Sequence, residues 1–170
     1  DAVSLGKGPG SYTGLRIGAA SAKGFCYGLK LPLIAVNSLD SMVEEFVNQG
    51  FDLIIPLIDA RRMEVYTAFF DGKSGKMISE TEAKILDENS FSELADKKIL
   101  FIGDGAKKTQ EILNLPNAEF KFDIYPSAKG LIKKSIEKFN LKDFEDVAYF
   151  EPFYLKDFQG IKKADRVKKQ

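Results

Sequence analysis

The 170 residues contain no histidine and no tryptophan, a single cysteine, and no excess of either charge, since 25 Lys and Arg balance 25 Asp and Glu. The missing histidine removes the commonest general base and the commonest transition-metal ligand together, so Ser-His-Asp, Cys-His and zinc chemistry are excluded. Carboxylate or lysine chemistry remains open, as does magnesium held by carboxylates and phosphate. Cys26 has no partner for a disulfide and lies in an apolar helical stretch, where it reads as a small core residue. The zero formal charge argues against a protein that grips nucleic acid by phosphate neutralisation along its whole surface. No apolar run reaches membrane-spanning length, and Asp1-Ala2-Val3-Ser4-Leu5 has no basic segment before an apolar one, so the expectation is a cytoplasmic protein without a membrane partner.

What is present is an ordinary globular composition, 44% apolar and 29% charged, enough for a real core in one compact domain or two small lobes. Ala2 to Leu5 reads as a buried strand, and Gly6-Lys7-Gly8-Pro9-Gly10 as a turn. Ser11 or Thr13 then caps a helix to about Leu29, Leu33 to Val36 forms a second strand, and Asn37 or Ser38 caps a helix ending near Gly50. Asp52 to Ile58, Glu64 to Phe70 and Lys76 to about Ile85 read as successive strands, with a hairpin at Asp71 to Gly75. A short helix near Ser90 to Ala95 precedes a strand at Ile99 to Ile102, a Gly103-Asp104-Gly105 turn and a helix to about Leu113. Phe120 to Ile124 forms a last strand, and Pro126 opens a helix with apolar residues Ala128, Leu131, Ile132, Ile136 and Phe139.

Residues 2–49 and 98–139 therefore share one order: strand, Gly-x-Gly turn, helix, strand, helix. Duplicated βββαβαβα lobes are the actin/Hsp70 arrangement, an α/β fold with mixed sheets, also called ribonuclease H-like. The expected division is 1–50 for the remainder of an amino-terminal lobe, 51–160 for a carboxy-terminal lobe and 161–170 for a basic tail. The pattern leads to the expectation that the first lobe is incomplete, with about 50 to 60 residues preceding Asp1 on the usual size of such a unit.

Two phosphate readings are weak. Gly72-Lys73-Ser74 has Thr67 where a P-loop requires glycine, and Asn37 ends the second strand where a dinucleotide fold needs a ribose-binding acid. Gly14, Gly18, Ala22 and Cys26 recur every four residues, a strip of small side chains that lets another backbone approach closely. Either the chain's own sheet or a partner's helix fills it. Arg16 lies one turn into that helix, a poor match to its positive end, so a carboxylate or a partner is expected to hold it.

The stretch Gly8-Pro9-Gly10-Ser11-Tyr12-Thr13-Gly14-Leu15-Arg16-Ile17-Gly18 resembles the signature of the TsaB (YeaZ) family, inactive glycoprotease-like relatives of TsaD. The resemblance continues through Asp59-Ala60-Arg61-Arg62-Met63-Glu64-Val65-Tyr66, Gly103-Asp104-Gly105-Ala106 and Glu151-Pro152-Phe153-Tyr154-Leu155. It implies a non-catalytic, actin-like scaffold that pairs with TsaD, the histidine-containing paralogue that carries metal, nucleotide and catalysis, and with TsaE, so that threonylcarbamoyladenosine (t6A) forms in tRNA. No cofactor, metal or catalytic residue is expected in this chain. The expected partner-facing set is Gly10, Ser11, Tyr12, Thr13, Gly14, Leu15, Arg16, Gly18 and Ala22, with a homodimer through the Gly14–Gly18 helix as the other occupant. Asp59, Arg61, Arg62 and Glu64 form a vestigial or structural turn, in which Asp59 is expected to pair with Arg61 or Arg62 rather than a metal. The competing reading is a free-standing actin-fold ATPase or kinase-like enzyme using Asp59 and the glycine turns on phosphate. Lys162, Lys163, Arg166, Lys168 and Lys169 against Asp165 give the tail a net +4, a solvated end or a contact to tRNA phosphate or an acidic partner.

Overall fold

The computed structural model describes residues 1–156; the basic tail at 161–170 lies outside them. The elements run β1 (Val3–Gly8), α1 (Tyr12–Leu29), β2 (Leu33–Asn37), α2 (Asp40–Val43), β3 (Leu53–Asp59), β4 (Glu64–Thr67), β5 (Phe70–Asp71), β6 (Glu82–Ile85), β7 (Ile99–Ile102), α3 (Ala106–Gln110), β8 (Ala118–Lys121) and α4 (Ala128–Leu141). Short 3-10 helices at Glu44–Phe46 and Ser92–Leu94 complete the order.

The Ser11 hydroxyl caps α1 by accepting from the Gly14 amide, and Lys30 ends the helix in a left-handed conformation with its N–H on the Cys26 carbonyl. β1 and β2 pair in parallel, which keeps the backbone extended through Gly8 and shortens the expected Gly6–Gly10 turn to Pro9-Gly10. The second sheet has the order β6-β4-β3-β7-β8, with β5 pairing β3. β3 is parallel to β7 and antiparallel to β4, so the sheet is mixed. Several elements are shorter than expected. The Ser79 hydroxyl accepts from the Phe69 amide, which takes the backbone out of the ladder and breaks the predicted long strands. After Phe46 the chain turns through Val47 (extended) and Asn48 (φ 62°) into β3, so the predicted helix to Gly50 stops early. α3 stops at Gln110, three residues before the expected end, and carries Thr109, whose hydroxyl bonds back to the Gly105 carbonyl.

β2, β3 and β7 are apolar runs because both faces of each are covered. Ala19, Ala22 and Cys26 of α1 pack on Leu33 and Ala35, while Leu131 of α4 packs on Ile34 and Val36. On the second sheet, Leu39, Met42, Val43 and Phe46 cover Ile54, Ile58, Leu100 and Ile102. The opposite face holds Phe69, Phe91, Phe101 and Phe120 in succession, with ring centroids 6.0, 5.2 and 5.0 Å apart. Burial pushes the Cys26 thiol up, away from the thiolate.

The expected boundary near residue 50 divides the sheets but not the helices. α2, from the first segment, sits on the second sheet, and α4, from the second segment, sits on the first. Glu145 then bonds to the Leu33 carbonyl and Phe150 enters the first core. The two helices pass each other at Ser41 and Gly130. The apolar pattern of α4 also divides differently from expectation: Leu131 is buried, whereas Ile132 and Ile136 are each 56% exposed.

A β-carbon at Gly130 would fall 1.8 Å from the Ser41 carbonyl oxygen, a backbone atom that cannot move aside. Gly130→Ala is therefore expected to lose roughly 3 kcal/mol, the upper range for overpacking, and about 6–12 °C of melting temperature by thermal denaturation. Gly24→Ala, inside α1 with nothing within 4 Å, is the control and should gain up to about 1 kcal/mol.

Candidate functional site

A cleft of about 590 Å³ opens between the start of α1, the β3–β4 hairpin and the segment Phe153–Lys156. It gathers Gly10, Ser11, Tyr12, Thr13 and Leu15 from one side and Asp59, Arg61, Arg62 and Glu64 from the other, two groups some fifty residues apart in the chain. Tyr66, Asp104, Tyr154 and Lys156 join them.

The hairpin side is built around Lys108. Its ammonium group donates to Asp59 Oδ1 at 2.5 Å, to the Arg62 carbonyl at 2.9 Å and to the Glu64 carbonyl at 2.6 Å, so its three protons are all used. Asp59 Oδ1 also accepts from the Arg61 amide at 2.7 Å, and the Asp59 amide donates to Asp104 Oδ1 at 2.9 Å. Asp59 thus pairs with Arg61 through its backbone amide, inside the turn as expected, while its ion-pair partner is Lys108 of α3. The reason is geometric: Arg61 and Arg62 both adopt left-handed backbone angles, φ 67° and 52°, which the turn requires. Each such residue with a β-carbon costs roughly 1–2 kcal/mol, and the Asp59–Lys108 clamp offsets that cost.

On the other wall, the Tyr12 and Tyr154 rings lie 5.0 Å apart and the Arg16 guanidinium sits 5.6 Å above Tyr12. Of the two expected holders of Arg16, a carboxylate or a partner, no carboxylate pairs with it among the described residues, and within the chain it meets an aromatic face. Phe153 donates to the Lys7 carbonyl at 2.7 Å, and Lys156 forms an ion pair with Glu64, so this segment bridges the two walls. Among the described residues, no group of three or more Asp, Glu or Cys side chains is placed to hold a metal ion.

The small-residue strip splits. Ala22 is 6% exposed and packs inside its own lobe with Cys26, because positions spaced by four advance about 40° around the helix at each step. Gly14 and Gly18 face outward, and a β-carbon at Gly18 would meet nothing within 4 Å. The stripe through Gly14, Gly18, Ser21 and Phe25 is exposed, flanked by Ile17 at 63%, with Phe25 itself at 62%.

With this geometry in hand, the model of the family TsaD, tRNA N6-adenosine threonylcarbamoyltransferase, matches residues 1–158. The chain belongs to that family, in its TsaB (YeaZ) group. The tRNA threonylcarbamoyladenosine biosynthesis protein TsaB of Bacillus subtilis is 36% identical over 105 residues, 59% of this chain and 45% of that protein. TsaB of Escherichia coli is 29% identical over 174 residues, covering 96% of this chain and 74% of the relative. The matched part thus spans less than half of the Bacillus protein. A crystal structure of YeaZ-like protein from Pseudomonas aeruginosa superposes with a TM-score of 0.76 at 24% identity, covering 92% of this chain and 74% of that one. A second YeaZ structure from the same organism gives 0.72 at 23% identity. The TsaB group shares the actin-like fold, and the mixed α/β architecture described above is that fold. No helix among the described residues is long and apolar enough to cross a membrane.

Sequence reasoning missed Lys108, Lys156, Tyr154 and Asp104 as cleft residues. Tyr154 and Asp104 lay inside stretches that resembled TsaB, which was the available signal. Lys108 had none, being a lysine on a helix of five residues, 49 positions from Asp59. Lys108→Met keeps the aliphatic stem but removes three hydrogen bonds. The protein is expected to lose about 1.5–3 kcal/mol by denaturant unfolding, with faster hydrogen exchange at the Arg61 amide.

Proposed function

We propose that this chain is a non-catalytic scaffold and activator subunit that binds TsaD, with TsaE, in the assembly that forms t6A in tRNA. The observation that carries the reading is the outward face of α1, where Gly14 and Gly18 are exposed and Gly18 leaves open space beside exposed Ile17 and Phe25. A helix with no side chain at two successive turns admits a second backbone at close range, and the flanking apolar groups gain from being covered. The relatives' printed names, biosynthesis proteins for threonylcarbamoyladenosine in tRNA, supply the pathway for this reading. The non-catalytic part is supported by the histidine-free sequence and by a cleft whose carboxylates are engaged by Lys108, Lys156 and backbone amides. Under this reading tRNA is reached through the assembled complex, in the cytoplasm, and a second copy of the chain competes with TsaD for the α1 face. Of the nine residues expected at the interface, Ala22 is withdrawn from it by its burial.

Gly18→Leu tests the face directly. It is expected to weaken binding to TsaD by about ten- to a hundredfold, equivalent to roughly 1–3 kcal/mol, measured by calorimetry. The melting temperature of the dilute protein should stay level or rise, because glycine is a poor helix former and the added side chain meets nothing. Normal TsaD affinity in this variant, or steady ATP hydrolysis by the chain alone that Asp59→Ala abolishes, would sink the scaffold reading.

A further inference from the structure

The cleft mouth carries two charged groups that the fold does not use. Arg61 and Arg62 occupy consecutive left-handed positions, where Asn-Gly or Gly-Gly would be the undemanding choice. Only their backbones serve the turn, through the Arg61 amide on Asp59 and the Arg62 carbonyl on Lys108. Neither guanidinium has a hydrogen-bond or ion-pair partner among the described residues, and both side chains are exposed. The neighbouring charges are already engaged: Lys108 with Asp59, Lys156 with Glu64, and Asp104 with the Asp59 amide. Two guanidinium groups on a clamped turn are thus the uncompensated charge at the lip.

Their surroundings are those of a protein-binding surface. Met63, beside them, is 44% exposed, and the Tyr12 and Tyr154 rings meet at a tilt of 39° with the Arg16 guanidinium over Tyr12. Arg, Tyr and Met are the residues enriched at interface centres. Tyr12 and Arg16 belong to the first turns of α1, so the lip continues into the face of α1 that carries Gly14 and Gly18.

We infer that the Arg61–Arg62 turn is a second docking element, which takes the carboxylates of an acidic segment on the protein that seats on α1. The inference rests on the scaffold reading above. A forked guanidinium pairs with a carboxylate through two parallel hydrogen bonds, and holding the fork on a clamped turn removes part of the ordering cost of binding. Carboxylate is favoured over phosphate because Asp59, Glu64 and Asp104 line the same cleft and the chain has no net positive charge, conditions unfavourable to a polyanion.

The test compares the wild type, Arg61→Lys/Arg62→Lys, Arg61→Glu/Arg62→Glu and Gly18→Leu for binding to TsaD of the same genome, by calorimetry at low and high salt. The double glutamate variant is expected to lose about tenfold or more in affinity, with a larger loss at low salt. The double lysine variant should lose part of it, because lysine keeps the charge without the fork. Both should melt as the wild type does, since neither exposed side chain forms a hydrogen bond or ion pair among the described residues. Full affinity in the double glutamate variant, or in the double lysine variant, overturns the forked contact. If Gly18→Leu weakens binding while the glutamate pair does not, the scaffold stands and the lip falls. If the wild type does not bind TsaD, both fall. If the glutamate pair instead loses only a gel shift with tRNA, the anion is phosphate and the proposal is wrong.

Discussion

Where α4 passes α2, the backbone of Gly130 lies against the carbonyl of Ser41 with no room for a side chain. Because α2 covers the second sheet and α4 the first, this crossing joins two cores whose sheets do not pair with each other. Lys129 and Lys133, one turn apart on α4, pair with Glu45 and Glu44 alongside it. These exposed pairs orient the crossing more than they stabilise it. The spacing of the two lobes, and hence the cleft between α1 and the β3–β4 hairpin, depends on how closely these backbones approach.

The cleft is a second point of contact between the lobes, made of charge and aromatic rings rather than apolar burial. Lys108 gathers three oxygens from a turn whose backbone angles are unfavourable for its residues, and Glu64 reaches across to Lys156. Asp59 and Glu64 are held by lysines and Asp104 by a backbone amide, while the side chains of Arg61 and Arg62 are exposed.

Burial was readable in the sequence wherever one side-chain pattern determined it. Leu33 to Val36, Leu53 to Ile58 and Ile99 to Ile102 are apolar without alternation, and each lies in a strand covered on both faces. Element ends were less readable, because Ser79 and Asn37 take the amides of Phe69 and Leu39 on their side chains in place of regular backbone bonds. Helical spacing in α4 correctly marked a helix but not which side of it was covered: Leu131 met the sheet and Ile132 did not. The glycine strip failed similarly, since a repeat of four drifts around the helix and carried Ala22 to the inside.

By itself the sequence determined which side-chain chemistry it lacks, the order of most strands and helices, a hydroxyl cap on α1 from Ser11 or Thr13, and the family, because these depend on residue identity and local spacing. Only the tertiary structure decided which sheet each helix covers, which half of the small-residue strip faces outward, and that Lys108 joins the Arg61 amide on Asp59. Asp59 with Lys108 and Ser41 with Gly130 join residues 49 or more positions apart, while Leu33 and Ala35 of β2 hold Ala22 inside. Local pattern carries no term for contacts between separate elements; they form only when those elements pack.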